Sequence, residues 1–178
     1  MTYFEKMKGT TKSPPQVSLM EMVWSWIGSF SGIAAVAFFN YLFFNDMDLK
    51  MLIGSFGASA VLIFGAIRSP LAQPRNLIGG HLLSALVGVT AYKLLPGHLC
   101  LASALAVSTA IFVMHATKTL HPPGGATALI AVVGSQQIHS LGYFYTIMPV
   151  GVGVVIMLMV ALVINNISHH RRYPEFWF

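Results

Sequence analysis

The sequence predicts an all-α protein, a polytopic transmembrane helical bundle with about five full spans plus one short or broken helix. Three observations carry this. Charged residues make up 8% of the 178 positions, against roughly 25% in an ordinary soluble domain. Hydrophobic residues make up 56%, and mean hydropathy is +0.72. Apolar runs recur between residues 20 and 168, several near the roughly 20 residues a spanning helix needs. The chain divides into a polar arm (1–20), a transmembrane domain (21–168) and a basic tail (169–178).

Each segment has its own reason. The arm carries Lys6, Lys8, Lys12 and Pro14-Pro15. Its basic region runs into prolines and no small-residue cleavage site follows, so it does not read as a signal peptide. The first span is expected at about 22–44. After Asn45, Asp46, Asp48 and Lys50, a second is expected at about 51–67. That one is rich in small residues, with Gly54 and Ser55 four positions before Ala58 and Ser59, the spacing that lets helices approach closely in lipid. Pro70 and Pro74 then break the helix twice, because each disfavours helical geometry in the residue before it. The third span is expected at 77–95 and the fourth at 99–116, separated by Pro96-Gly97. A helix from 123 to 138 would be only about 24 Å long, less than the roughly 30 Å hydrocarbon core. The final segment, 141–167, is long enough to span and carries Pro149 as an expected kink.

Charge placement limits function. Glu5, Glu21, Asp46, Asp48 and Glu175 are the only acids, so none falls in 49–174, where seven Lys and Arg and all seven histidines stand. Cation carriers and many proton pumps place carboxylates inside the bilayer, and this interior has none. A lone Cys100 excludes an internal disulfide or CxxC site. His115 and His121 are six apart, not four, with no carboxylate to complete a metal site. No soluble catalytic domain fits, so no enzyme, cofactor, metal or nucleic-acid role is implied.

Two segments combine a helix break, cations and glycines at membrane depth. They are 68–81, with Arg68, Arg75 and His81, and 115–127, with Lys118 and His121-Pro122-Pro123-Gly124-Gly125-Ala126-Thr127. Their offset of about 48 to 50 residues hints at an internal repeat. Broken helices in corresponding positions point to transporter sites. Proline suits the first helical position, and amides after it would be donors at the positive helix end, so 121–127 reads as an anion cradle with Thr127 adding a hydroxyl. The plainer reading is a well-capped turn. Arg68, Arg75 and Lys118 either draw an anion inward or contact headgroups. His81 is either a pore-lining or proton-shuttling group or a buried neutral histidine bonded to a backbone carbonyl. The tail run His169-His170-Arg171-Arg172 reads as a membrane anchor, and the terminal aromatics as an interfacial belt.

At these residues the sequence resembles the HPP family of integral membrane proteins, named for the triad present here as His121-Pro122-Pro123. The likeness also takes in Gly54-Ser55-Phe56-Gly57-Ala58-Ser59-Ala60, Ser69-Pro70-Leu71-Ala72-Gln73-Pro74-Arg75-Asn76 with Gly79-Gly80-His81, the run from Thr119 to Leu129, and Arg171-Arg172-Tyr173-Pro174. Lys118 stands where arginine is expected in many members, which keeps the charge but not bidentate hydrogen bonding. The resemblance implies a transporter or channel for a small monovalent anion, with nitrite the leading cargo. The alternative is a structural or regulatory membrane subunit acting through partners. The implied partners are the lipid bilayer and the anion, with a homo-oligomer left open. The expected setting is a bacterial inner membrane with a cytoplasmic N-terminus, which puts the arm, Arg68, Arg75 and Lys118 on one side. Two geometric expectations follow. The amides of 121–127 should face a polar cavity, and the two breaks should meet, with Arg75 and Lys118 near one vestibule.

Overall fold

The computed structural model describes residues 2–7, 11–43 and 53–178, and among them there is no strand. The expected loop with Asn45, Asp46, Asp48 and Lys50 lies outside the described residues, as do Lys8, Phe44 and the first two positions of the second expected span. Helix α1 is Leu19–Phe43. Helix α2, Gly54–Ala60, continues as a π-helical turn over Val61–Gly65. Then come a 3-10 turn at Pro70–Ala72, α3 at Pro74–Leu94, α4 at Leu99–Ala116, α5 at Pro122–Val133, α6 at Gln136–Leu141 and α7 at Val152–Ile164.

The protein is therefore a helical membrane bundle, but the spans are distributed differently from the sequence expectation. Among the described residues, four helical segments are long and apolar enough to cross: Leu19–Phe43, Pro74–Leu94, Leu99–Ala116 and Gln136–Ile164. Gly54–Gly65 and Pro122–Val133 are the shorter apolar ones. The second expected span is thus a short helix, at twelve residues about 18 Å long. The apolar pair Ala66-Ile67 extends the hydropathy run but not the helix, because Ala66 leaves helical geometry (φ −134°, ψ 51°). In the last segment, Met148 takes extended φ/ψ inside Ile147–Gly151, the geometry that Pro149 imposes on the residue before it. The expected kink is there.

Short α5 runs alongside α3 in the same direction. Gly124 packs on the Gly80 carbonyl, Ala128 on Gly88, and His139 stacks on Tyr92 with ring centroids 3.9 Å apart. The chain then returns through α7, whose C-terminal end meets the start of α1. Successive segments alternate in direction, so α5 passes through the bundle instead of turning back. The start of α1, both helix breaks and the C-terminal tail gather at one end. Lys93 and Tyr143 lie at the other, with the Lys93 ammonium 5.5 Å from the Tyr143 ring centre.

One core joins α1, α2, α3 and α7 around Val36, Phe56, Phe64, Leu77 and Met157. A second is a stripe on α4, Ala102, Ala106, Ala110 and Met114, against Ala128 and Val132 of α5. The i, i+4 alanines let α4 approach closely, the packing available where lipid gives no hydrophobic drive between helices. The two short helices sit inside this frame. Irregular backbone at membrane depth survives only where protein surrounds it; α1, α5 and α7 pack against α2 and its π-helical turn, and α3 and α4 pack against α5.

Candidate functional site

Helices α3 and α5 begin alike, with proline at the first helical position and an extended residue before it: Gln73 before Pro74 and His121 before Pro122. Neither side chain caps its own helix. Gln73 Nε2 instead donates to the carbonyls of Ile67 and Ser69, both at 2.9 Å, and its Oε1 accepts from the Glu175 amide. His121 Nδ1 lies 2.7 Å from the Leu71 carbonyl. Each break is thus tied by the side chain that precedes it, and His121 ties the two breaks to each other.

The centre of the site is a buried histidine pair. His81, two turns into α3, and His121 are both fully buried, with ring centroids 5.0 Å apart. The Ser59 hydroxyl of α2 lies between them, 2.7 Å from His81 Nε2 and 3.0 Å from His121 Nε2. On its other side His81 Nδ1 is 2.7 Å from Thr127 Oγ1 of α5, which also stands 2.9 Å from Ser55 Oγ. Phe56 covers His81 edge-on, and the Tyr145 hydroxyl donates to the Thr127 carbonyl. The cluster sits about 10 Å inside the start of α3 by helix rise. One turn further on, the Ser84 hydroxyl is buried without a hydrogen-bond partner.

The expectation that the breaks meet holds. Besides the histidine contacts, Arg75 Nη2 donates to the Thr117 carbonyl at 2.8 Å and Asn76 Nδ2 to that of Leu120 at 2.8 Å. Arg75 thereby places positive charge at the negative end of α4, a favourable pairing with the helix dipole. His81 is buried, but its partners are two hydroxyls; the backbone carbonyl belongs to His121. Arg68 and Lys118 are exposed, outside the histidine cluster, as is His115. Lys118 is the residue that ends α4. It adopts φ 57°, its amide bonds to His115 and the Thr119 amide to Met114, the pattern in which a left-handed residue closes a helix. A side chain there costs about 1–2 kcal/mol relative to glycine. Lys118→Gly should therefore raise the thermal unfolding midpoint, and an unchanged or lower midpoint would show that the lysine is not strained.

The cradle at 121–127 needs correction. The Gly124 amide is not a free donor, because it bonds to the His121 carbonyl at 2.7 Å. Gly124 is buried, and a Cβ there would lie 2.7 Å from the Gly80 carbonyl and 2.8 Å from Ser84 Oγ. Here the glycine serves close packing of α5 on α3. Pro123 and Thr127 are buried, Gly125 half-buried and Pro122 exposed. Two cavities lie elsewhere. One, of about 420 Å³, is apolar and opens between α3 and α4 around Leu86, Thr90 and Leu105. The other, of about 740 Å³, adjoins Arg68, Glu21 and His170.

Arg171 also departs from expectation. It is 5% exposed, not a headgroup anchor. Its guanidinium pairs with Glu21 at 2.7 Å and donates to the Phe64 carbonyl at 2.6 Å and to Asn165 Oδ1 at 3.0 Å. The π-helical turn at the end of α2 supplies the Phe64 acceptor, and its Ile63 carbonyl accepts from Asn165 Nδ2 at 2.8 Å. The tail continues inward. Tyr173 donates to the Ala72 carbonyl at 2.7 Å, and burial pushes its phenol above the ordinary value. Ser59, Gln73 and Arg171 were not among the residues the sequence singled out for a site. The signal available for Ser59 was a hydroxyl at i+4 from Ser55 in an otherwise apolar helix.

Two transmembrane proteins of Dictyostelium discoideum are similar to the chain, 49% and 48% identical over 98% of its length. The chain spans 57% and 63% of those relatives. No solved structure matches. A family model described as "HPP, transmembrane region" matches residues 14–174, taking in both breaks, the histidine pair and the Arg171 contacts. The chain belongs to the HPP family of integral membrane proteins.

Proposed function

We propose that the protein carries a small monovalent anion across the membrane, with nitrite the leading cargo that the family resemblance implies. The observation that supports this most is the meeting of two helix breaks at a buried polar cluster that holds no carboxylate among the described residues. Such interruptions mark substrate sites in transporters built of helices. A monovalent anion leaving water needs a compensating charge or donors, and that attraction grows several-fold as the effective dielectric falls from 80 to about 20. Arg75 and Lys118 stand at the outer side of the cluster, where they draw an anion to the entrance. Arg68, Arg75, Lys118 and Arg172 gather at the end that also holds the start of α1, and the enrichment of Lys and Arg on cytoplasmic loops puts that end and the N-terminus in the cytoplasm. The relatives come from Dictyostelium discoideum, so the proposal does not extend to a bacterial inner membrane.

The test is uptake of a panel of anions by proteoliposomes containing correctly inserted protein. Nitrite should enter faster than into empty liposomes. Arg75→Ala and Lys118→Ala should lower its initial rate, and Lys118→Arg should retain it. Equal rates for both alanine variants and the parent would leave the cations to topology and remove them from the site. Absence of flux for every anion would favour the subunit that acts only through partners.

A further inference from the structure

We propose that His81 and His121, bridged by the Ser59 hydroxyl, form a one-proton site that takes up its proton by turning hydroxyls alone, and that this proton travels with the anion. The second half rests on the transport reading above; the first does not.

Donor counting fixes the neutral state. His121 Nδ1 faces the Leu71 carbonyl at 2.7 Å, which only accepts, so Nδ1 carries the hydrogen and Nε2 a lone pair. Ser59 has one hydrogen for two imidazole nitrogens, His81 Nε2 at 2.7 Å and His121 Nε2 at 3.0 Å. It must go to His121, whose lone pair would otherwise be buried without a donor. His81 Nε2 therefore donates to Ser59 Oγ. Its Nδ1 is then bare and accepts from the Thr127 hydroxyl at 2.7 Å.

A further proton fits on either ring. On His81, Nδ1 becomes a donor to Thr127, whose hydroxyl swings to Ser55 Oγ at 2.9 Å or the Pro123 carbonyl at 3.3 Å. On His121, Nε2 becomes a donor to Ser59, whose hydroxyl swings to the Ser55 carbonyl at 3.1 Å. No heavy atom need move, because each hydroxyl already has its second acceptor in place. Two protons do not fit, since the rings are 5.0 Å apart and like charges so close and so buried oppose one another. The surroundings do not relieve that repulsion. α2 presents Ser55, Ser59 and Phe56, and α5 presents Thr127. Tyr145 reaches the Thr127 carbonyl from beyond α6, and Tyr173 of the tail reaches Ala72, next to Leu71. The end of α4 presents exposed His115 and Lys118, and Arg75 is turned to Thr117. None of these groups is a carboxylate among the described residues, so a cation held here is neutralised by an entering anion, which couples the two.

The full chain in lipid nanodiscs, with isotope-labelled imidazole nitrogens, gives the test by solid-state NMR. At mildly alkaline pH, His81 should carry hydrogen on Nε2 and His121 on Nδ1. Acidification should doubly protonate one ring while the other stays neutral, and Ser59→Ala should abolish the fixed His81 tautomer. Hydrogen on His81 Nδ1 at alkaline pH, or two imidazolium rings, would overturn the one-proton site. In proteoliposomes, nitrite entry should be accompanied by proton entry, and His81→Gln should lose the proton movement. Nitrite flux without protons would overturn the coupling and leave anion transport standing. Loss of flux for all anions, with the tautomers as stated, would overturn transport and the coupling together and leave the one-proton site standing.

Discussion

Arg171→Met should destabilise the folded protein by about 3–5 kcal/mol, the range for removing one partner of a buried ion pair. Glu21 alone would not account for this, because its side chain is 30% exposed and can regain water. The larger part comes from the other acceptors. The Phe64 carbonyl and Asn165 Oδ1 hold the same guanidinium in buried surroundings, and each acceptor left unpaired there costs about 1–3 kcal/mol. Methionine keeps most of the apolar stem, so the loss isolates the guanidinium. Arg172 is the control: it is the neighbouring cation and exposed, so Arg172→Met should stay within about 0.5 kcal/mol. Thermal unfolding of both variants in the same lipid decides the matter, and matching midpoints would return Arg171 to the status of a tail charge.

The sequence made no distinction between those two arginines, and the reason is physical. Composition and hydropathy report how a segment partitions between water and lipid, and they identified the bundle, Leu99–Ala116 to the residue and the kink at Pro149. They do not report what a polar group meets after folding. Arg171 finds its acceptors 107 positions away at Phe64 and 150 away at Glu21, the first of them in a π-helical turn that no local pattern announced. Helix length failed for the same kind of reason. The apolar run through 51–67 continues past the helix that Gly54–Gly65 forms, because buried irregular backbone is as apolar in sequence as a span. The site was half legible. Proline and glycine in two segments marked the breaks, and His81, His121 and Thr127 were singled out from them. Ser59 was missed because a serine four residues from another in a helix looks like packing, and only the third dimension puts it between two imidazoles.

The adjacent glycines of the same motif should respond oppositely to alanine. At Gly124 the added methyl would stand 2.7 Å from the Gly80 carbonyl and 2.8 Å from Ser84 Oγ. The backbone atom cannot give way without moving α3, so Gly124→Ala should lower stability by about 1–3 kcal/mol, as overpacking does. It should also pull Thr127, one turn along α5, away from His81, and so reduce anion uptake in whatever protein still folds. At Gly125 the methyl would meet Val107 Cγ1 at 3.8 Å, ordinary contact, and alanine is the better helix former by about 0.5–1 kcal/mol. Gly125→Ala should therefore unfold at the same or a higher temperature and keep its uptake. Measured together, the pair separates two accounts of the motif. An anion cradle requires unobstructed amides at both positions, and would show uptake lost in both variants with stability preserved. Close packing of α5 on α3 requires the methyl to be refused only where the Gly80 carbonyl lies in its way.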